Sequence, residues 1–158
     1  MKKIISSLLL VLMLSPLFVS CSKNEDVDPA KLPAKSFELN GLSFTLTEGF
    51  EETVEGEQML LRSSTIAAFV DRIDFSTMAG AADLPLLTYA KDYSTSAVEE
   101  DGLVLLEYMS SASTYVYFTA FYKGEHAFYI LQFACRSEVY DYYRPSFLTW
   151  AKSAMPTA

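Results

Sequence analysis

The chain has 158 residues, 20 acidic against 12 basic, for a formal net charge of −8 and only two cysteines. That length fits a leader and one domain. Nucleic-acid binding is excluded as a function class, because phosphate backbones reward basic patches through counterion release and this chain offers the opposite field.

Lys2 and Lys3 precede an apolar run from Ile4 to Val19 that Ser6, Ser7, Ser15 and Pro16 interrupt. A membrane-spanning helix needs roughly 20 apolar residues, and this run is shorter. A basic start, a short apolar centre and the small Ser20 are the parts of a secretory signal peptide, residues 1–20. The segment Leu17-Phe18-Val19-Ser20-Cys21 resembles the lipobox of bacterial lipoproteins, with Phe18 standing where the usual pattern has Leu. The resemblance implies cleavage between Ser20 and Cys21, a diacylglyceryl group on the Cys21 sulfur, and acylation of the new amine. Stable anchoring takes at least two chains, so several on one residue hold the protein to a bilayer. Ser22, rather than Asp, after the cysteine points to the outer membrane, facing the periplasm or the cell surface. The competing reading is a secreted protein with an incidental cysteine.

Residues 21–36 are polar, with Pro29 and Pro33 and no periodicity, and read as a disordered tether. As random coil it spans about 20 Å. The folded domain is then expected over 37–158. Losing Lys2 and Lys3 deepens its negative charge by two, so the acyl group rather than the domain must hold the membrane.

Around Asn40-Gly41, the apolar Phe37, Leu39, Phe44 and Leu46 give a hairpin signal. "TEGFEETVEGEQ" reads as an exposed acidic loop, "MLLRSS" as a short strand, and "TIAAFVDRIDF" as a strand although its spacing also fits a helix. "STMAGAA" is a turn of small residues. Asp83 and Pro85 mark an N-cap and first turn, and Leu86, Ala90, Tyr93 and Ala97 predict a helix over 85–98. Glu99 to Gly102 form an acidic turn, and three strands follow at 103–109, 114–123 and 126–135. A last helix starts at Ser137, is interrupted by Pro145, and lines Phe147, Leu148, Ala151, Ala154 and Met155 along one face.

The last two strands can be registered on a Gly124-Glu125 loop. Val116, Phe118, Ala120, Tyr129, Leu131, Phe133 and Cys135 then share one face, expected under both helices. The opposite face carries Tyr115, Tyr117, Thr119, Phe121, Phe128, Ile130 and Gln132. Glu107 is assigned to this second face, which requires an extra residue in the "SSAS" turn, because burying it unpaired is costly. Tyr115, Tyr117, Phe121 and Phe128 form a candidate interaction face, unless the N-terminal hairpin or a second layer covers them. Fourteen residues between Tyr108 and Trp150 are aromatic, more than a small core readily absorbs.

The order of elements, with "FTLTEGF" (44–50), "LTYAKDY" (87–93) and "AFYILQFACRSEVYDYYRPSFLTWAKS" (127–153), resembles the fold shared by the PsbP subunit of photosystem II and the Ran-binding protein Mog. That resemblance implies an α+β fold, an antiparallel sheet packed on one face by two helices, in proteins that mostly bind and assemble without catalysis.

The residues themselves offer no reaction. His126 and Cys135 lie nine positions apart on one strand, about 30 Å, and on opposite faces, whereas a Cys–His pair needs about 3 Å. With Cys21 acylated, Cys135 has no disulfide partner and reads as a buried thiol. No metal site is expected: one histidine with these cysteines builds no zinc site, and neither acidic cluster has calcium-loop spacing. No cofactor and no catalytic residues are assigned. The expected function is a lipid-anchored, non-enzymatic binding or assembly domain with a protein or envelope partner. The alternative is a small-ligand carrier or enzyme with a pocket between helix and sheet.

Overall fold

The computed structural model describes residues 27–56, 58–111 and 114–157. The signal peptide, the Ser20–Cys21 cleavage site and the start of the tether lie outside them. Two hydrogen-bonded sheets and two helices make up the described fold. β1 (Ala34–Leu39) and β2 (Leu42–Thr47) pair antiparallel, and a two-residue β10 (Met155–Pro156) adds to the free side of β2. The main sheet has seven antiparallel strands: β3 (Glu51–Glu55), β4 (Gln58–Arg62), β5 (Ile66–Asp74), β6 (Val98–Glu100), β7 (Leu103–Met109), β8 (Tyr115–Lys123) and β9 (Ala127–Arg136). Their spatial order is β3-β4-β5-β9-β8-β7-β6. Helix α1 (Leu86–Tyr93) lies between β5 and β6, and α2 (Ser137–Lys152) follows β9.

Two type I′-like turns set the hairpins. Asn40 and Gly41 have φ of 51° and 82°, and Asp101 and Gly102 have φ of 54° and 80°. This handedness matches the strand twist, and Asn-Gly and Asp-Gly adopt it at low cost. The β8–β9 turn is displaced from its expected place: Gly124 N–H donates to the Ala127 carbonyl, so Glu125 and His126 form the loop. The pairing runs Val116↔Cys135 and Phe118↔Phe133. This differs from the expected register by two residues, and because side chains alternate with period two, the face assignments on β8 and β9 survive.

The helices do not share a face. The first face, with Val116, Phe118, Ala120, Leu131 and Phe133, packs against α2 (Tyr140, Tyr143, Phe147, Trp150) and the β1–β2 hairpin (Phe37, Leu39, Leu42, Phe44). The second face packs Phe121, Phe128 and Ile130 against α1 and the turns before it (Tyr89, Ala90, Ala81). β8 and β9 therefore sit in the middle of a three-layer stack, which is why they read as continuous apolar runs rather than alternating ones. Each central strand feeds two cores, and the many aromatics are thereby absorbed.

Several elements differ from expectation. The acidic stretch after Thr47 contains the edge strand β3 and the buried Phe50. α1 is shorter than 85–98. Asp83 belongs to a 3₁₀ turn, Ala81–Asp83, no side chain caps the helix at Pro85, and Val98 is drawn into β6 by pairing with Leu105. α2 runs through Pro145, because its stripe of Tyr140, Tyr143, Phe147 and Trp150 stays buried across it. The tether is also shorter than 21–36. Asp28 caps a turn at Pro29–Lys31 and bonds the Tyr142 hydroxyl, Thr47 donates to the Pro29 carbonyl, and Glu48 N–H donates to the Pro33 carbonyl. Gly49 packs closely there: a Cβ would approach Leu32 Cδ1 to 2.7 Å and push the leucine tip aside.

Candidate functional site

Of the aromatic quartet proposed for the second face, Phe121 and Phe128 are 1% and 0% exposed. Tyr89 of α1 stacks on Phe128 at 4.0 Å between ring centroids, and Tyr93 meets Phe121 edge-on at 5.4 Å. These two are core, not an interaction patch, because the second layer that covers them is α1. Tyr117 is 9% exposed and stacks on Tyr108, which is 37% exposed. Tyr115 lies half-buried at the strand end. What remains accessible is the half of the face beyond α1, where Tyr108 leans across β8. Its hydroxyl accepts from the Gln132 amide at 3.0 Å, and the same amide nitrogen donates to Thr119 Oγ1 at 2.6 Å.

Lys123 fixes the layer that covers the rest. Its Nζ donates to the carbonyls of Ala82 and Leu84 at 2.6 and 2.9 Å. The ammonium thus holds the turn into α1 against β8. Beside it a cleft of about 380 Å³ opens between α1 and the sheet, lined by Leu86, Leu87, Phe121, Tyr122 and Lys123 among others.

Glu107 is on the first face, opposite Phe118, not the second. Burial would raise its carboxyl, but hydrogen bonds from Arg144 and Tyr140 of α2 outweigh that and hold it below the usual glutamate range. Arg144 Nη2 lies 2.7 Å from Glu107 and 2.9 Å from Glu100, so one guanidinium joins α2 to the edge strand β6 and to its neighbour β7. A lone carboxylate would be costly to bury there, and Arg144, 37 residues away in sequence, supplies the partner that offsets the cost. The arrangement is a docking clamp for α2, with Arg144 Nε and Nη2 and the Tyr140 hydroxyl all bonded to carboxylates.

His126 occupies the β8–β9 turn, exposed, with Glu125 at 3.8 Å. Cys135 is buried near the far end of β9, and burial pushes its thiol up to about 12. A thiol so raised is almost wholly protonated at neutral pH and a poor nucleophile. Among the described residues no cluster of His, Cys, Asp and Glu has the arrangement of a metal site. Nor is any helix among them long and apolar enough to cross a membrane.

The solution structure of cyanobacterial PsbP (CyanoP) from Synechocystis sp. PCC 6803 is similar to this chain with a TM-score of 0.54, covering 86% of this chain and 98% of that one at 17% identity. The domain has a PsbP-like fold. A crystal structure from Bacteroides thetaiotaomicron VPI-5482 is also similar, at TM-score 0.53 and 11% identity, over 78% of this chain. This chain spans about half of that protein, 48% of its length. No family model matches the sequence, and neither does any curated protein.

Proposed function

We propose that the protein is a bacterial lipoprotein, held by acylated Cys21 in the outer membrane, whose PsbP-like domain is a non-catalytic binding or assembly module for a protein or envelope partner. The observation that carries the non-catalytic part is chemical. Arg144 and Glu107 are locked in a structural pair, and His126 and Cys135 stand at opposite ends of β9, so these candidate groups do not converge on one centre. The anchoring part rests on the lipobox-like Leu17 to Cys21 segment.

Mass spectrometry of the protein from detergent-extracted membranes tests the anchor. An N-terminal peptide starting at Cys21 with the mass of a diacylglyceryl group and a third acyl chain is expected. An unmodified cysteine in a freely soluble chain overturns it. Crosslinking in the intact envelope tests the binding role, with a reproducible neighbour expected and none overturning it.

The cleft beside α1 favours one competing reading, a small-ligand carrier, because its floor is apolar and Lys123 stands at its rim. Native mass spectrometry of the extracted protein distinguishes the two, since a carrier would retain a stoichiometric small molecule.

A further inference from the structure

The main sheet is forked. β4 pairs with β5 only over Leu60↔Phe69, Leu61↔Ala68 and Arg62↔Ala67, while β5 continues to Asp74 against β9. Gln58 and Met59 stay with β3. Among the described residues, Val70 to Asp74 therefore have no strand partner on the β4 side. Which backbone groups face the gap follows from alternation. The Ile66 carbonyl accepts from Ser63 on the β4 side, and the Phe75 N–H turns to the His126 carbonyl on the β9 side. Even-numbered residues thus present N–H and C=O to the fork: Val70, Arg72 and Asp74.

The molecule already fills one of these positions with a surrogate. Asn40, at the tip of the β1–β2 hairpin, donates its side-chain amide to the Val70 carbonyl at 2.5 Å. The Asp74 carbonyl takes the Thr77 hydroxyl at 2.7 Å. Arg72 N–H and C=O are left to the gap, a notch of about 500 Å³ lined by Asn40, Asp71, Arg72 and Asp74. The Arg72 guanidinium turns to Asp74 at 2.8 Å. Asp71 points to the second face, half-buried, and has no hydrogen bond or ion pair among the described residues.

We propose that this notch accepts an extended segment of a partner protein as an added strand against Val70–Asp74, with a lysine or arginine of that segment opposite Asp71. This rests on the reading of the domain as a binding module and names its surface. Unpaired ladder groups are the usual template for strand addition, and side chains at alternate positions supply selectivity. The choice of occupant follows from charge. The unpaired Asp71 carboxylate and the chain's net charge of −8 both favour a basic segment. A second copy is disfavoured, since two-fold pairing about the centre of the open stretch would set Arg72 against Arg72.

The test uses the full chain in detergent micelles, with the synthetic peptide acetyl-Thr-Val-Lys-Val-Lys-Val-Thr-amide as the probe. Three controls accompany it: the same peptide with Glu for Lys, the same peptide N-methylated at alternate amides, and the Asp71→Asn variant. Amide NMR is expected to show the basic peptide shifting Val70 and Arg72 and slowing Arg72 N–H exchange at least tenfold. The Glu peptide and the N-methylated peptide should fail to do so, and Asp71→Asn should weaken binding about fivefold or more. No effect at Val70 and Arg72, equal effects from the N-methylated peptide, or protection that rises with protein concentration alone would each overturn the proposal. Photocrosslinkers placed at Arg72 and Tyr108 in the native envelope separate this from the broader reading. A neighbour captured only at Tyr108 removes the notch and keeps the binding module, whereas silence at both positions removes both.

Discussion

At the scale of single residues, the described polar groups divide into those that find partners and those that do not. Glu107, Gln132 and Thr119 are satisfied by side chains from other elements. Asp71 is not, and burial raises its carboxyl above the usual aspartate range. For an acid raised in the fold, ionisation costs stability as pH climbs from the unfolded value of about 3.9 through the folded one. Asp71→Asn is therefore expected to raise the melting temperature at pH 7 and to give no gain at pH 3, as read by thermal unfolding at both pH values. Equal gains at the two pH values would mean that charge is not the reason. Glu107 has the opposite sign. Its lowered carboxyl contributes stability that is present above the unfolded value of about 4.3 and is lost as pH falls through the folded one. Urea midpoints measured from pH 6 to pH 3 should fall less steeply in Glu107→Gln than in the parent.

Elements show what the linear chain reveals and what it hides. The Asn40-Gly41 hairpin, β5, the three long strands and the start of α2 were legible because their signals are local: turn chemistry and period. The Asp101-Gly102 hairpin carried the same kind of turn signal but was obscured by reading Val98 as the end of a helix and Glu99 to Gly102 as one acidic turn. The face taken by α1 was not legible, because it depends on which layer the crossover after β5 lands on, and no local pattern encodes that. The absence of alternation in "AFYILQFACR" was the available clue, since all but Arg136 are buried there. Arg144 as the partner of Glu107 is likewise a product of tertiary packing. The candidate patch failed for the same reason, and the failure is measurable. Phe121→Ala is expected to cost about 3–5 kcal/mol of unfolding free energy, as for other buried aromatics. A Phe121 variant of unchanged stability would restore the patch as surface.

Across the whole molecule, stability should be graded from the middle of the stack outward. β8 and β9 are buried on both faces, whereas β3 is an exposed edge bearing Glu51, Glu52 and Glu55. Hydrogen exchange of the native protein is expected to be slowest in β9 and β8 and fastest in β3, with α1 between them, because local opening follows buried contact. Uniform protection would contradict a layered core. The stitching of the first described residues into the body has a mechanical outcome. Pro29 is gripped through Thr47, Asp28 is fastened to Tyr142, and Leu32 rests on Gly49. Tension arriving along the chain from its front end would reach this knot before any strand, loading the terminal helix and the small sheet together. The domain would therefore bear a tug as a unit rather than unravel from its leading thread.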